Sequence, residues 1–254
     1  MSTERFVCVG SIDGHVADVV LCRPPNNFFS AAMIGQLADI LEELDQNANV
    51  RAIVLSAEGK HFCAGADFSR KTARDETADL YAAAVRLFRT RKPIIAAIQG
   101  AAIGGGLGVA MAADFRVAVP EARFSANFSR LGFHHGFGLS VTLPRVVGEQ
   151  RAAELLLTGR RIDATNALAI GLVDRCVSAE ELKDAAHDLA QEIALSAPMA
   201  VEAIRRTLRG DLAERVALAT EHERLEQERL RATNDFAEGV RATAERRPPN
   251  FNGN

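Results

Sequence analysis

What these 254 residues lack narrows their function first. The four cysteines, Cys8, Cys22, Cys63 and Cys176, are scattered and form no Cys-x-x-Cys pair. They read as reduced, mostly buried small hydrophobes, and no zinc site is expected. Basic residues do not outnumber acidic ones: 30 against 33 gives a formal net charge of −3, without the basic footprint that nucleic-acid binding requires. No apolar run approaches the length that spans a bilayer, and the stretch Met1 to Phe6 lacks the apolar core of a signal peptide. There is no Gly-x-x-x-x-Gly-Lys-Ser/Thr, and no glycine spacing matches Gly-x-Gly-x-x-Gly, so a phosphate-cradling loop is disfavoured. These absences predict a cytoplasmic protein with no metal, no nucleic-acid partner and no membrane partner.

The remaining composition, 48% hydrophobic and 25% charged, is that of an ordinary globular protein. Val7-Cys8-Val9 and Val16 to Leu21 are β-branched runs flanking Asp13-Gly14, a hairpin signal. Arg23-Pro24-Pro25 stops the second run, because proline cannot donate to a ladder. Ser30 is placed to cap a helix carrying Met33, Leu37, Ile40, Leu41 and Leu44 on one face. Ala52 to Ser56 and Ile94 to Ile98 are almost wholly apolar, as strands buried on both faces are. A helical segment, Ala78 to Phe88, separates them, and Phe115 to Val119 reads as a further strand. This alternation predicts an α/β domain with parallel sheet content. From about Pro198 the pattern is purely helical, and Leu212 to Arg231 has a narrow apolar face suited to covering a neighbour.

Two glycine-centred stretches carry the chemistry: Phe62-Cys63-Ala64-Gly65-Ala66-Asp67-Phe68 and Gly100-Ala101-Ala102-Ile103-Gly104-Gly105-Gly106-Leu107-Gly108. Either could be a plain turn with left-handed glycines. Together, each at the C-terminal end of an apolar strand, they sit where open α/β sheets place ligands. Two backbone N–H groups there, one at a helix N-terminus, would suit an oxygen that gains negative charge, such as that of a thioester becoming an enolate.

In these two stretches the sequence resembles the crotonase (enoyl-CoA hydratase/isomerase) superfamily. The resemblance extends over Lys92-Pro93-Ile94-Ile95-Ala96, Ala113-Asp114-Phe115-Arg116, Leu143-Pro144-Arg145-Val146-Val147-Gly148 and Ala167 to Val173, and on to Phe236-Ala237-Glu238-Gly239. It implies a spiral of ββα units over residues 1–195, with a helical C-terminal oligomerisation region over 196–254. It also implies a homo-trimer or hexamer and an acyl-CoA thioester substrate; coenzyme A enters with that substrate and no separate cofactor is expected. By position, the backbone N–H groups of Ala66 and Gly105 are the implied oxyanion-hole donors. Ala64, Gly65, Ala66, Asp67, Phe68 and Ser69 would line the substrate, with Arg23, Arg70 or Lys71 as phosphate partners. Asp67 is also expected to orient its loop through backbone amides, and Asp114 to play a structural part beside Arg116.

The chain departs from the family where hydratases place two glutamates: the matching positions hold Gly108 and Phe128. Neither moves a proton, and Phe128 makes the acyl site more apolar. The loop from Leu131 to Gly138, which opens onto the acyl pocket in the family, carries His134 and His135. Imidazole titrates near neutrality, so His135, with His134 beside it, is the expected acid/base, and isomerisation or other enolate chemistry the expected reaction. The alternative is a non-catalytic acyl-CoA binder on the same fold.

Overall fold

The computed structural model describes residues 4–67 and 76–254. Strands β1 (Val7–Asp13) and β2 (Val16–Leu21) form the antiparallel hairpin. Gly14 and His15 turn it with φ of 51° and 71°, the left-handed pair that matches strand twist across a two-residue turn. β1 runs past Val9 because its exposed half still pairs, through an irregularity between Val9 and Ile12. Helix α1 (Ala31–Gln46) starts at Ser30, whose hydroxyl accepts the Met33 amide at 3.2 Å. β3 (Ala52–Ala57), α2 (Thr77–Phe88) and β4 (Ile94–Ile98) follow as the apolar patterning predicts.

The next segment holds what the sequence concealed. β5 (Ala101–Ile103) lies inside the second glycine stretch, and α3 (Gly105–Ala112) begins two residues later. β6 (Phe115–Ala118) and β7 (Arg123–Ser125) lead into a 3₁₀ turn over Asn127–Leu131. α4 (Leu139–Val147), α5 (Glu149–Thr158), β8 (Ile162–Asp163), α6 (Ala164–Ala169), β9 (Arg175–Cys176) and α7 (Leu182–Ala194) complete the core. The chain ends in α8 (Pro198–Arg209), α9 (Leu212–Arg231) and α10 (Asn234–Ala244).

The main sheet has the order β1-β2-β3-β4-β6-β9 and is parallel from β2 onward. A small second sheet, β5-β7-β8, stands beside it. β4, β5 and α3, and then β6, β7 and the 3₁₀ turn, are successive turns of a ββα spiral, so the short second strands stack as β5 on β7. Every residue of β4 is buried, as a strand covered on both faces must be.

The tail helices pack back on their own chain: α9 buries Val216, Thr220, Glu223 and Gln227 on one face, against α2 and α4. Asp114 ties α8 to the sheet, accepting from Arg205 at 2.9 Å, Arg209 at 2.9 Å and the Ile94 amide at 2.8 Å. The expected Asp114–Arg116 pairing is corrected here. The Arg116 guanidinium meets the Asp174 carboxylate at 3.6 Å and touches Asp114 through its backbone carbonyl.

Candidate active site

Two isolated parallel bridges, Phe29 with Ala66 and Cys63 with Ala102, fix the first glycine stretch between the α1 side and β5. The Phe29 amide donates to the Gly65 carbonyl at 3.0 Å, and Cys63 exchanges bonds with Ala101 and Ile103 at 2.9 and 3.1 Å. A parallel bridge is made by the amide and carbonyl of one residue reaching the neighbours of the other. Phe29 plays the first part, so the amide of Ala66 points away from the pairing. Gly65 adopts φ 93°, and a Cβ there would lie 2.9 Å from the Ile103 carbonyl oxygen. At Gly106 a Cβ would be 2.8 Å from the Cys63 carbonyl carbon and closer still to its oxygen. Glycine is therefore what lets the start of α3 lie directly against the Ala64–Asp67 segment.

That contact forms one end of a cavity of about 380 Å³. Ala64, Gly65, Ala66, Asp67 and Gly105 all line it. Gly105 is the first residue of α3, so its N–H has no intrahelical acceptor and lies at the positive end of the helix dipole. The far wall is apolar, with Phe128, Leu131 and Phe133 on one side and Val240 and Ala244 of α10 on another.

Among the described residues, no histidine or glutamate lines the cavity; the titratable groups that do are Asp67, Tyr81 and Arg231. Sequence reasoning passed over Tyr81, although it is the chain's one tyrosine and sits on a helix face otherwise apolar. Its hydroxyl donates to Gln227 Oε1 at 3.0 Å. Burial, then the nearby charge of Glu223, pushes its pKa well above the ordinary value, so it stays protonated at neutral pH. Gln227 donates in turn to the His134 carbonyl at 2.9 Å, and Arg231 donates to Thr77 Oγ1 at 2.9 Å. Arg231 also lies over the Phe133 ring at 5.6 Å. Gln227 and Arg231 reach the cavity from α9, far along the chain from the first glycine stretch, and no local motif announces them.

His134 and His135 do not line this cavity. Their rings stack at 4.1 Å, with His222 edge-on to His134 at 5.9 Å. His135 Nε2 lies 3.0 Å from Ser140 Oγ and 4.0 Å from the buried Glu223 carboxylate. Glu223 is committed elsewhere: it accepts the Gly138 amide at 2.8 Å, the Ser140 amide at 3.1 Å and the Ser140 hydroxyl. Burial, then the adjacent His134 and His222, pushes the His135 pKa down to about 4, so its imidazole is neutral at pH 7. Arg23 is likewise occupied, donating to the Phe28 carbonyl at 2.6 Å and lying over the Phe6 ring at 5.3 Å. Phe68, Ser69, Arg70 and Lys71 lie outside the described residues.

Of the two positions that the sequence reading set against hydratase glutamates, Phe128 reaches the cavity wall. Gly108 sits one turn into α3, under the Phe137 ring: a Cβ there would lie 2.6 Å from Phe137 Cβ, Cγ and Cδ1.

A spiral of ββα units that brings a loop amide and a helix N-terminus to one acyl-sized cavity defines the crotonase class of enzymes. Residues 11–254 match the family model for enoyl-CoA hydratase/isomerase. The chain is 36% identical over 251 residues to YngF of Bacillus subtilis (strain 168), a protein assigned by name to the enoyl-CoA hydratases/isomerases, covering 94% of this chain and 95% of that one. It is 33% identical to the carnitinyl-CoA dehydratase of Proteus mirabilis (strain HI4320), covering 94% and 96%. The crystal structure of an enoyl-CoA hydratase/isomerase from Pseudoalteromonas atlantica T6c superposes with a TM-score of 0.86 at 31% identity, covering 98% of this chain and all of that one (100%). The chain belongs to the enoyl-CoA hydratase/isomerase family.

Proposed function

We propose that this enzyme binds an acyl- or enoyl-CoA thioester, holds its carbonyl oxygen between the amides of Ala66 and Gly105, and catalyses isomerisation or related enolate chemistry. The observation that carries the reading is that both residues line one cavity, each brought there by a glycine that has no room for a side chain. Charge that develops on the oxygen then meets two fixed donors and a helix dipole, which need no reorganisation as the reaction proceeds. Two-glutamate hydration is disfavoured because the matching positions hold Gly108 and Phe128. Of the residues that line the cavity, Asp67 carries the carboxylate that could serve as base toward the α-carbon, while the Tyr81 hydroxyl, donating to Gln227 Oε1, is a fixed polar group of the wall. His135 is placed second to Asp67 because its ring is engaged with Ser140 and is not among the residues lining the cavity. The reading extends to a homo-trimer or hexamer, supported by the apolar residues exposed on α8.

The test is incubation with saturated acyl-CoA and enoyl-CoA substrates in D₂O, with α-proton exchange and products followed by mass spectrometry. Exchange is expected in the parent. Ala66→Pro, which removes one donor N–H at a position whose φ is not positive, is expected to slow it about 10²–10³-fold while thioester binding persists. Tight binding with no exchange on any thioester would make the protein a non-catalytic acyl-CoA binder. Failure to bind coenzyme A thioesters would sink the proposal.

A further inference from the structure

Phe137 is a non-glycine residue at φ 63°, a conformation that crowds Cβ and that L-residues adopt only when their surroundings hold them there. It is 1% exposed, and three contacts account for its placement. Its ring covers Gly108, leaving no space for a Cβ at that position. It meets Phe29 edge to face, centroids 6.1 Å apart at 66°. Its backbone amide lies beside the Tyr81 oxygen. Phe29 in turn lines the cavity and presses on Gly105, with Cδ1 3.3 Å from where a Cβ would be. Gly105 and Gly108 are three residues apart and so share one face of α3.

We infer that Phe137 is a specificity-determining residue, which holds Phe29 from behind the cavity wall beside the first turn of α3 and selects unbranched acyl groups. The inference rests on the thioester reading above. With the carbonyl oxygen on the Gly105 amide, the α- and β-carbons of the substrate lie along the α3 face that Phe29 walls off, and Phe137 backs that wall. A substituent on those carbons needs Phe29 to retreat, and the packed Phe137 ring denies it the room, because close-packed interiors do not yield by a methyl group without cost. The chain is directed instead along Phe128, Leu131 and Phe133 toward α10. Gly108 and Phe137 are thus a matched pair: the aromatic ring occupies the volume that a side chain at 108 would take.

The experiment uses full-length Phe137→Ala, Phe137→Leu, Gly108→Ala and the Gly108→Ala/Phe137→Ala double variant. Calorimetry compares binding of butanoyl-CoA with that of the β-branched 3-methylbutanoyl-CoA. Phe137→Ala is expected to shift the ratio of the two Kd values about tenfold or more toward the branched thioester, the discrimination one methyl group commands. Phe137→Leu, which keeps a branched apolar side chain behind Phe29, is expected to shift the ratio less than Phe137→Ala does. Gly108→Ala alone is expected to lower Tm by about 3–10 °C through overpacking, and the double variant to recover part of that loss, since coupled neighbours are not additive. A folded Phe137→Ala whose ratio stays within about twofold of the parent would overturn the specificity role, and a Gly108→Ala that melts like the parent would overturn the matched pair. If the parent binds neither thioester, the acyl-CoA reading fails and the specificity falls with it, whereas an unchanged ratio in a chain whose parent binds overturns the specificity alone.

Discussion

His135, the acid/base that the sequence suggests, is packed against other side chains and is not among the residues that line the cavity. Its imidazole is surrounded by His134, His222, Ser140 and the Glu223 carboxylate. Glu223 does not make it a cation, because that charge is already engaged by the Gly138 and Ser140 amides and lies 4.0 Å away. Burial wins, and the folded pKa falls from 6.5 to about 4. An unfolded chain therefore binds this proton more readily than the folded one between those values. The contribution to stability is fully present above about pH 6.5, and it is lost as the pH falls toward 4. His135→Gln cannot titrate, so urea unfolding at pH 7 and pH 4 should show the parent losing about 2–3 kcal/mol more than the variant over that span. Equal losses in both proteins would mean that His135 is as free to ionise in the fold as in solution.

α4 shows why an element can depend on a residue far along the chain. It opens at Gly138, φ 72°, with no side-chain cap of its own. Glu223 on α9 supplies the cap from outside, its carboxylate accepting from Gly138 and Ser140 at the positive end of the helix. Glu223→Gln keeps the shape and removes the anion, at an expected cost of about 1–3 kcal/mol. Hydrogen exchange should quicken at the amides of Gly138 and Ser140 while those of β4, held by the sheet, stay protected; uniform protection across both would defeat this account of α4. The contrast also marks what was legible in the sequence. Ser30 before α1, the apolar strands β3 and β4, and the glycine stretches signal locally, through caps, periodicity and residues too small to be chance. The close approach at Gly65 and Gly106 could be read in the same way. β5 was hidden because three residues pair only through neighbours remote in sequence, Cys63 and β7. Tyr81, Gln227 and Arg231 were hidden because helices meeting only in the folded chain bring them to one cavity, and nothing local in the histidine loop says which way a ring turns.

At the scale of the whole molecule, α8 carries three of the large apolar side chains left exposed among the described residues, more than any other helix. Its buried residue is Arg205, held with Arg209 against Asp114, so the helix is fastened by charge on its inner side. Met199, Ile204 and Leu208 remain 86%, 59% and 69% exposed, beside Leu195 at 84%. Apolar side chains clustered on one helix mark a surface that another chain covers, and the proposed homo-oligomer supplies that chain. The fastening matters for the test, because the inner face keeps α8 docked when its outer face is changed. Asp114 remains ionised down to low pH: burial alone would raise its pKa, but Arg205 and Arg209 outweigh burial and hold it below the ordinary value. Leu195→Glu combined with Met199→Glu places two charges in the exposed apolar patch, at positions outside the groove that Arg205 and Arg209 line. Sedimentation velocity at micromolar concentration should show the parent as a trimer or a multiple of it and the double variant as smaller species, with far-UV circular dichroism unchanged. A parent that sediments as a monomer would sink the oligomer proposal, and a double variant of unchanged mass would place the interface on a surface other than α8.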